Sequence, residues 1–416
     1  MKINNIINKE NKRFYWNTIM QYIMTFAQYV FPLITFPYLT RVLEPDLYGV
    51  ITYMTATITY FQLVIDFGFN LSATKEIAEK QEDKKHIGMV LGSVIQAKIF
   101  LLIGSFIVYI LMVQFIPKLN ENKLLAYLYM GTVVLSIWLP DYMFRGIEKM
   151  EIITVRFLLS KMVTTVLTFV LVRSKSDMLW IPILNMIGSL VAICLTWHHI
   201  KTKLKIKVRY TSKVEVISKL KESFLYFLST FATTAFGAMN TFMLGAMNLP
   251  SSQIAYWGVS YTLIGAAQSL YTPIINSLYP HMINKKDFKL VRKLLYIFMP
   301  AIIVTTIIVY MLSELVITIF SGPEYMEAIP VFKALLPVLI LSFPAMVIDF
   351  PVLAAFGKVK ETTITTIISS VFHILGLLLL ALIGKFTVLA VAILRSATEL
   401  VLLATRSFVL IKNKKR

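Results

Sequence analysis

Long apolar stretches recur along the whole chain, and the lysines and arginines collect in every second gap between them. Only a lipid bilayer rewards about 20 consecutive apolar residues on a helix, because the backbone there must satisfy its own hydrogen bonds. The mean hydropathy of +0.72 fits that environment. The pattern lacks the alternating segments of about ten residues that are typical of a membrane β-barrel. The sequence therefore predicts an all-α integral membrane protein.

Twelve stretches are long enough to cross a hydrocarbon layer of about 30 Å as helices. With the amino terminus inside, the cytoplasmic segments hold 29 of the 41 Lys and Arg residues and the external loops hold 6. This bias predicts that both termini are cytoplasmic. The basic amino-terminal segment is expected to lead into a retained first helix and not to be a cleaved signal peptide. The predicted spans are 14–40, 47–70, 87–116, 124–144, 152–172, 178–200, 223–247, 253–283, 294–320, 328–356, 362–384 and 386–411.

The chain also divides into two halves of similar layout. A proline followed within a few residues by an aromatic-Gly-Val tripeptide occurs at 45–50 and again at 250–259. The two glycines are 209 residues apart, close to half of the 416 residues. Parallel repeats of this kind occur in transporters. We therefore expect an amino-terminal six-helix bundle over 1–210 and a carboxy-terminal six-helix bundle over 211–416.

Several classes of function are excluded or disfavoured by what the chain carries. It has no Walker A motif, Gly-rich nucleotide fingerprint or HExxH motif, so it shows no sign of ATP hydrolysis or proteolysis. The net charge of +19 comes from short loops beside the spans, which favours topology signals and lipid headgroup contacts over nucleic acid binding. Short external loops disfavour a membrane glycosyltransferase or polymerase. We expect no enzymatic activity, no cofactor and no metal.

Charged residues inside the predicted spans are the best candidates for function. Each costs at least about 2.5 kcal/mol at the bilayer centre unless it faces a cavity or a partner. Lys98, Lys161, Arg395 and Glu399 lie nearest the midplane, and the excess of cations over acids within the spans favours an anionic passenger such as a pyrophosphate. Structural ion pairs are the alternative, because Arg395 and Glu399 have the i,i+4 spacing of a helical pair. The cations are Lys98, Arg156, Lys161, Lys333, Arg395 and Arg406, and the acids are Asp66, Glu314, Asp349 and Glu399.

Two of these cations, Lys333 and Arg406, stand close to span ends and are expected to extend towards the membrane surface. Four prolines recur every seven residues along the tenth predicted span, which predicts a broken or kinked helix there. His373, near the middle of the eleventh span, is expected to be a neutral, hydrogen-bonded histidine. The prolines are Pro330, Pro337, Pro344 and Pro351.

Polar side chains form a stripe on each of the first two predicted spans. Amides and hydroxyls on one helical face would line a wet cavity and exchange hydrogen bonds with sugar hydroxyls. Packing between helices is the alternative interpretation, because Thr and Gln also join neighbouring membrane helices. We take Gln21, Gln28, Thr59 and Gln62 as candidate sugar contacts. The stripes are Asn17, Gln21, Thr25 and Gln28, then Thr52, Thr55, Thr59, Gln62 and Asp66.

The segments 31–43 (FPLITFPYLTRVL), 48–50 (YGV) and 66–78 (DFGFNLSATKEIA) resemble the opening of the Wzx-type polysaccharide flippases. These belong to the multidrug/oligosaccharidyl-lipid/polysaccharide exporter superfamily, which also includes MATE-type transporters. Segments 243–245, 256–259 and 277–280 of the second half are similar to that family as well, although more diffusely. One departure is Glu44-Pro45-Asp46, where many relatives have Gly-Pro.

The resemblance implies a MATE-like, V-shaped pair of six-helix bundles around a cation-lined cavity in the bacterial cytoplasmic membrane. It implies transfer of undecaprenyl-pyrophosphate-linked oligosaccharides to the outer leaflet by a monomer, in company with polysaccharide polymerase machinery. Arg41 in the PYLTR motif and Asp66 in the DFGFN motif are carried over as candidates. Lys98, Lys161 and Arg395 would then bind the pyrophosphate. Asp66 and Glu399 would temper the charge or carry a coupling proton.

Two alternatives within transport stay open. A drug or metabolite antiporter of the same superfamily is the first, and it would favour a more acidic cavity. A lipid II flippase is the second, and such proteins generally carry fourteen spans where twelve are predicted here.

Overall fold

The computed structural model describes the backbone of residues 2–414 and the side chains of 15–412 except 229, 232–236, 280, 284 and 350. The side chains of the basic segment 1–14 therefore lie outside the described residues. Over the described range the chain forms helices and no strand, which confirms the all-α prediction. Short 3₁₀ or π segments cover Lys175–Leu179, Ile200–Leu204, Pro323–Ala328 and Ile348–Leu353. The α-helices are α1 (Lys2–Asp66), α2 (Phe69–Glu79), α3 (Lys84–Phe115), α4 (Pro117–Asn120), α5 (Lys123–Ser136), α6 (Asp141–Gly146), α7 (Met150–Leu171), α8 (Trp180–His199), α9 (Lys213–Ala246), α10 (Ser251–Ser269), α11 (Thr272–Lys285), α12 (Phe288–Met311), α13 (Ser313–Ser321), α14 (Ile329–Leu335), α15 (Pro337–Val347), α16 (Val359–Leu382) and α17 (Val388–Lys414).

Nine helical segments in the described part of the chain are long and apolar enough to cross a membrane. The first of them, Tyr15–Glu79, is 65 residues long and contains two of the predicted spans. All twelve predicted ranges are occupied by helix. The count of twelve crossings and the cytoplasmic placement of both termini stay predictions.

Helix α1 consists of two arms that meet at Glu44. This residue has φ 58° and ψ 173°, outside the helical region, while the residues on both sides are helical. Pro45 accounts for a break at this position, although not for the positive φ, because a proline removes a backbone donor and disfavours the α conformation of the preceding residue. The break separates the first predicted span from the second.

The tenth predicted span is broken, as its prolines predicted. Helix α14 ends at Leu335, α15 begins at Pro337, and a π segment follows from Ile348. Within that segment Asp349 has ψ −125°, which no helix permits. The polar backbone that such a break exposes must find other partners.

The chain forms two compact units. The first unit comprises the residues up to Tyr38 and Tyr53–Phe242, and the second comprises Leu39–Thr52 and Met243–Arg416. Helix α9 therefore belongs mostly to the first unit, although it follows the midpoint of the sequence. The predicted division at residue 210 concerns the sequence repeat, and it stays a prediction.

Aromatic side chains fill much of the core of each unit. In the first unit Tyr53, Tyr109 and Tyr142 are almost completely buried, and Tyr109 donates a hydrogen bond to the Ala126 carbonyl (2.8 Å). In the second unit an apolar cluster joins α11, α12, α15 and the π segment. Its buried members are Leu278, Met282, Val291, Phe343, Val347, Val352 and Ala355.

Candidate functional site

The structure brings three predicted site residues of the first unit together. The Lys98 ammonium on α3 lies 2.9 Å from Asp66 Oδ1, and the Gln62 amide donates to Asp66 Oδ2 (3.0 Å). The same amide lies 3.0 Å from the Ser136 hydroxyl on α5. Lys98 is only 3% exposed, whereas the Asp66 side chain is 31% exposed. Removing either partner would leave the other partly buried and uncompensated. This polar cluster, Gln62–Asp66–Lys98–Ser136, joins three helices.

Helix α1 lies alongside α7, and the hydrogen bonds between them have a constant spacing. Asn17 accepts from the Met150 amide (3.1 Å), the Thr154 hydroxyl donates to the Met20 carbonyl (3.0 Å), and Tyr38 donates to the Val172 carbonyl (2.7 Å). The partners are 133, 134 and 134 residues apart. Because the two helices keep this offset, residues of α1 and α7 that differ by 133 lie at the same level.

Lys161 and Gln28 have this separation, so the two lie at one level of neighbouring helices. Lys161 is the twelfth of the 22 residues of α7 and is half-buried, and Gln28 is exposed. Among the described residues, the Lys161 ammonium and the Gln28 amide have no hydrogen-bond or ion-pair partner. The structure therefore places an uncompensated cation near the middle of α7 and an open amide at the same level of α1.

The other polar residues of the two stripes differ in their exposure and in their hydrogen-bond partners. Gln21 is exposed, and its amide has no partner in the described part of the chain. The Thr59 hydroxyl donates to the Thr55 carbonyl of its own helix (2.8 Å), as threonines on membrane helices commonly do. Asn17 bonds the turn before α7 through Glu148 and Met150, which is a packing role.

In the second unit Arg395 and Glu399 form the intrahelical pair that their spacing indicated. Arg395 Nη1 lies 2.6 Å from Glu399 Oε2 on α17, and both residues are buried. His373 on α16 lies 2.7 Å from the Thr398 hydroxyl and is fully buried, as a hydrogen-bonded histidine should be. The charges of this region are therefore largely balanced within the unit.

Arg41 lies at the end of helix α13 in the second unit. Its guanidinium donates to the Ile319 carbonyl, and its stem lies 3.6 Å from the Cβ position of Gly322, the residue that ends α13. A cation beside the last carbonyls of a helix is stabilised by the helix dipole. Arg41 thus has a clear structural contact besides its predicted role.

Two buried clusters were missed by the sequence reasoning. In the first unit Arg156 on α7 pairs with Asp141 and donates to the Thr196 hydroxyl on α8 (3.0 Å). In the second unit Arg406 pairs with Asp349 (2.9 Å) and donates to the Ala345 carbonyl and the Thr366 hydroxyl. The expectation that Arg406 extends towards the membrane surface is wrong. It is 5% exposed, because it pairs with the acid at the helix break.

A signal for these clusters does exist in the sequence. Asp141 and Asp349 are 208 residues apart, nearly the same separation as that of the two repeated turns. Each acid stands at the break of an equivalent helix in its half of the chain. A search of the amino-acid sequence for charged residues separated by this offset would therefore have matched Asp141 with Asp349.

Many apolar helices with paired charges inside them define a multi-pass membrane protein. The fold is similar to that of a MATE family multidrug resistance transporter in an inward-facing conformation, with a TM-score of 0.73, 11% identity and coverage of 95% of this chain and 99% of that chain. It is also similar to the lipid II flippase MurJ in an inward closed conformation, with a TM-score of 0.66, 15% identity and coverage of 96% and 89%.

Residues 15–286 match the family model described as polysaccharide biosynthesis protein, and the chain belongs to that family. It is 27% identical over 330 residues to an Escherichia coli (strain K12) protein named "Putative O-antigen transporter", covering 76% of this chain and 77% of that one. A Shigella dysenteriae protein of the same name is 24% identical over 367 residues, with 86% and 91% covered. These matches confirm the resemblance to polysaccharide flippases that the sequence motifs indicated.

Proposed function

We propose that this chain is a flippase that moves oligosaccharides linked to undecaprenyl pyrophosphate from the cytoplasmic to the outer leaflet of the bacterial cytoplasmic membrane. The family match and the names of the two relatives support a polysaccharide precursor as passenger. The observation in the structure that carries the proposal is the uncompensated cation Lys161, which lies level with Gln28.

The five other cations of the predicted spans already have partners. Four pair with acids, and Lys333 lies over the ring of Tyr310, 4.7 Å from its centre. A lone ammonium in the apolar layer is costly unless a counter-charge joins it. A pyrophosphate supplies that counter-charge, whereas a cationic drug would be repelled.

The remaining candidates take roles around this anion site. Gln21, Gln28, Thr59 and Gln62 contact the sugars, and Lys98, Arg395 and Arg41 add to the positive potential. Asp66 and Glu399 temper that potential so that the head group is released. If either acid carries a coupling proton, transport falls when the proton gradient is collapsed, and unaltered transport would remove this part of the proposal.

Movement of the passenger follows alternating access, with two six-helix bundles, 1–210 and 211–416, rocking about the site. The protein acts as a monomer, makes and breaks no covalent bond, and delivers its product to polysaccharide polymerase machinery. Both termini lie in the cytoplasm, and twelve spans cross the membrane.

The test uses proteoliposomes that contain a fluorescent undecaprenyl-pyrophosphate oligosaccharide. The fraction open to a membrane-impermeant quencher is followed over time for the wild type, Lys161→Met and Lys161→Arg. We expect the rate to fall at least about tenfold in Lys161→Met, since a lost charge contact costs about 1.4 kcal/mol or more. Lys161→Arg keeps the charge and should retain most of the rate.

Lys333→Met is the matched control, because it also removes one cation from a predicted span but one with an aromatic partner. Equal loss in the Lys333 and Lys161 variants would contradict a specific anion site. Transport of a soluble cationic dye without movement of lipid-linked sugar would favour the antiporter.

A further inference from the structure

The segment after α8 carries an unusual row of cations. Lysine or arginine occupies every second position from 201 to 209, and all five side chains are exposed. No acidic residue occurs between Ile200 and Val214. We call residues 200–212 the basic strap. Its cations are Lys201, Lys203, Lys205, Lys207 and Arg209.

The strap is held against one face of α3. Gly88 and Gly92 let it approach closely, because a Cβ at either residue would lie 2.2 or 2.1 Å from a strap carbonyl oxygen. The Arg209 amide donates to the Gly88 carbonyl (2.9 Å), and Gln96 accepts from the Thr211 amide (2.9 Å). Positions 88, 92 and 96 share a helical face, so these contacts form one continuous seat.

This seating holds the part of the strap that carries Lys207 and Arg209, whereas Lys201 and Lys203 lie on the π segment that follows α8. Ile206 is 6% exposed and Val208 is half-buried, while the cations between and beside them are exposed. Large exposed apolar residues follow at once, with Tyr210, Val214 and Ile217 all more than half exposed. Cations next to exposed aromatic and aliphatic side chains are typical of surfaces that lie in the headgroup region of a membrane.

We propose that the basic strap is a docking surface for anionic phospholipid headgroups of the leaflet that it faces. A row of exposed cations attracts lipid phosphates, and the neighbouring apolar side chains enter the acyl boundary. The surface is separate from the passenger site, because it needs no residue of the Lys161 region. It makes the protein select its surrounding lipids.

A second basic segment of this chain supplies a matched control. Residues 285–293 also carry five exposed cations, but Asp287 lies among them and the cations from Lys289 onward lie on the first turns of helix α12. Neutralising either set lowers the net charge by five. A general charge effect would make the two losses equal, whereas a seated docking surface makes them unequal.

The experiment measures electron paramagnetic resonance of spin-labelled phosphatidylglycerol and spin-labelled phosphatidylcholine around the full chain in phosphatidylcholine bilayers. The motionally restricted fraction gives the preference for the anionic lipid. We expect about a fivefold preference for wild type. It should fall to near one when the strap cations are changed to Gln, and stay near fivefold when Lys285, Lys286, Lys289, Arg292 and Lys293 are changed to Gln.

A further variant, Gly92→Leu, keeps every charge but displaces the strap from α3, and it should lower the preference about twofold or more. Circular dichroism and gel filtration confirm that each variant is folded. Equal losses in the two glutamine variants, or no preference in the wild type, would overturn the proposal. The absence of a lipid preference in the wild type would favour a soluble acidic partner as the ligand of the strap.

Discussion

At corresponding positions the first unit packs its helices with an ion pair and the second unit packs its helices with apolar side chains. In the first unit, the polar cluster around Asp66 and Lys98 joins the second and third predicted spans. In the second unit, Ile274 lies 208 residues after Asp66 and so takes its place in the repeat. Ile302 takes the place of Lys98 when the helix caps Asp83 and Asp287 are aligned. Both isoleucines pack against the apolar cluster. This fold therefore does not need an ion pair at that place, and we expect the polar cluster to act in transport.

The buried Asp–Arg–Thr clusters differ from the polar cluster in that both units have one, which indicates a structural role. Helix α16 begins 209 residues after α7, and α17 begins 208 residues after α8. In the first unit the arginine is on α7 and the threonine on α8, but in the second unit the arginine is on α17 and the threonine on α16. The same contact has been built with the two residue types exchanged. A feature that both units keep in this way serves the fold.

The largest expected effect tests that shared role. Arg406→Met and Arg156→Met should each destabilise the protein by about 3–5 kcal/mol, because each leaves a partly buried aspartate without its cation. Thermal unfolding in detergent measures the loss. Asp349→Leu combined with Arg406→Met should recover most of it. A large loss in one unit and none in the other would contradict a common structural role.

The next prediction transplants the second unit's residues into the first. The double variant Asp66→Ile/Lys98→Ile should remain folded, since it removes a charge pair as a whole, yet its flipping rate should fall at least about tenfold. Gel filtration and the proteoliposome assay measure the two properties. Retained transport would mean that the polar cluster is only another way to pack helices.

A smaller effect is expected at the turns that precede the second and eighth predicted spans. Glu44 has φ 58° and ψ 173°, a conformation that glycine alone adopts easily, so Glu44→Gly should stabilise the protein by about 1 kcal/mol. Asn248 has φ 56°, which asparagine tolerates, and Asn248→Gly should change stability by no more than a few tenths of a kcal/mol. Equal shifts of the melting temperature would contradict the difference between the turns.

The smallest effect concerns two helix caps that are alike. Asp83 and Asp287 each accept two backbone amides at the start of α3 and α12. The amides of His86 and Leu290 respectively contribute most to holding the pKa of these exposed carboxylates below the usual value. Because the folded pKa is lowered, the caps stabilise the protein above about pH 4, and this contribution is lost as the pH falls through the folded pKa.

Asp83→Asn and Asp287→Asn should therefore lower the melting temperature at pH 7 by similar amounts, about 1–3 °C each. The difference from wild type should shrink at pH 3, where the wild-type carboxylates also begin to lose their charge. Unequal shifts at pH 7 would show that the two units use these caps differently.

The sequence predicted correctly those features that depend on residues close together along the chain. Helices occupy all twelve predicted ranges, the tenth is broken at its prolines, and Arg395 meets Glu399 at the spacing of one helical turn. The sequence predicts Lys161 to be a cation near the midplane, as it does Lys98 and Arg395, and only the structure shows that Lys161 has no partner among the described residues. In contrast, Lys98 and Asp66 were assigned separate roles, and only the structure shows that they form one pair.

Hydropathy, charge bias and family motifs, all read from the chain itself, determined the membrane class, the helix positions and the family. The tertiary structure decided which charges neutralise each other, that Gln28 stands level with Lys161, and that Arg406 turns inwards to Asp349. The physical reason is the separation along the chain of the residues that interact. A helix forms from contacts within a few residues, whereas the free energy of a buried charge depends on side chains that are distant along the chain and are brought close only by packing.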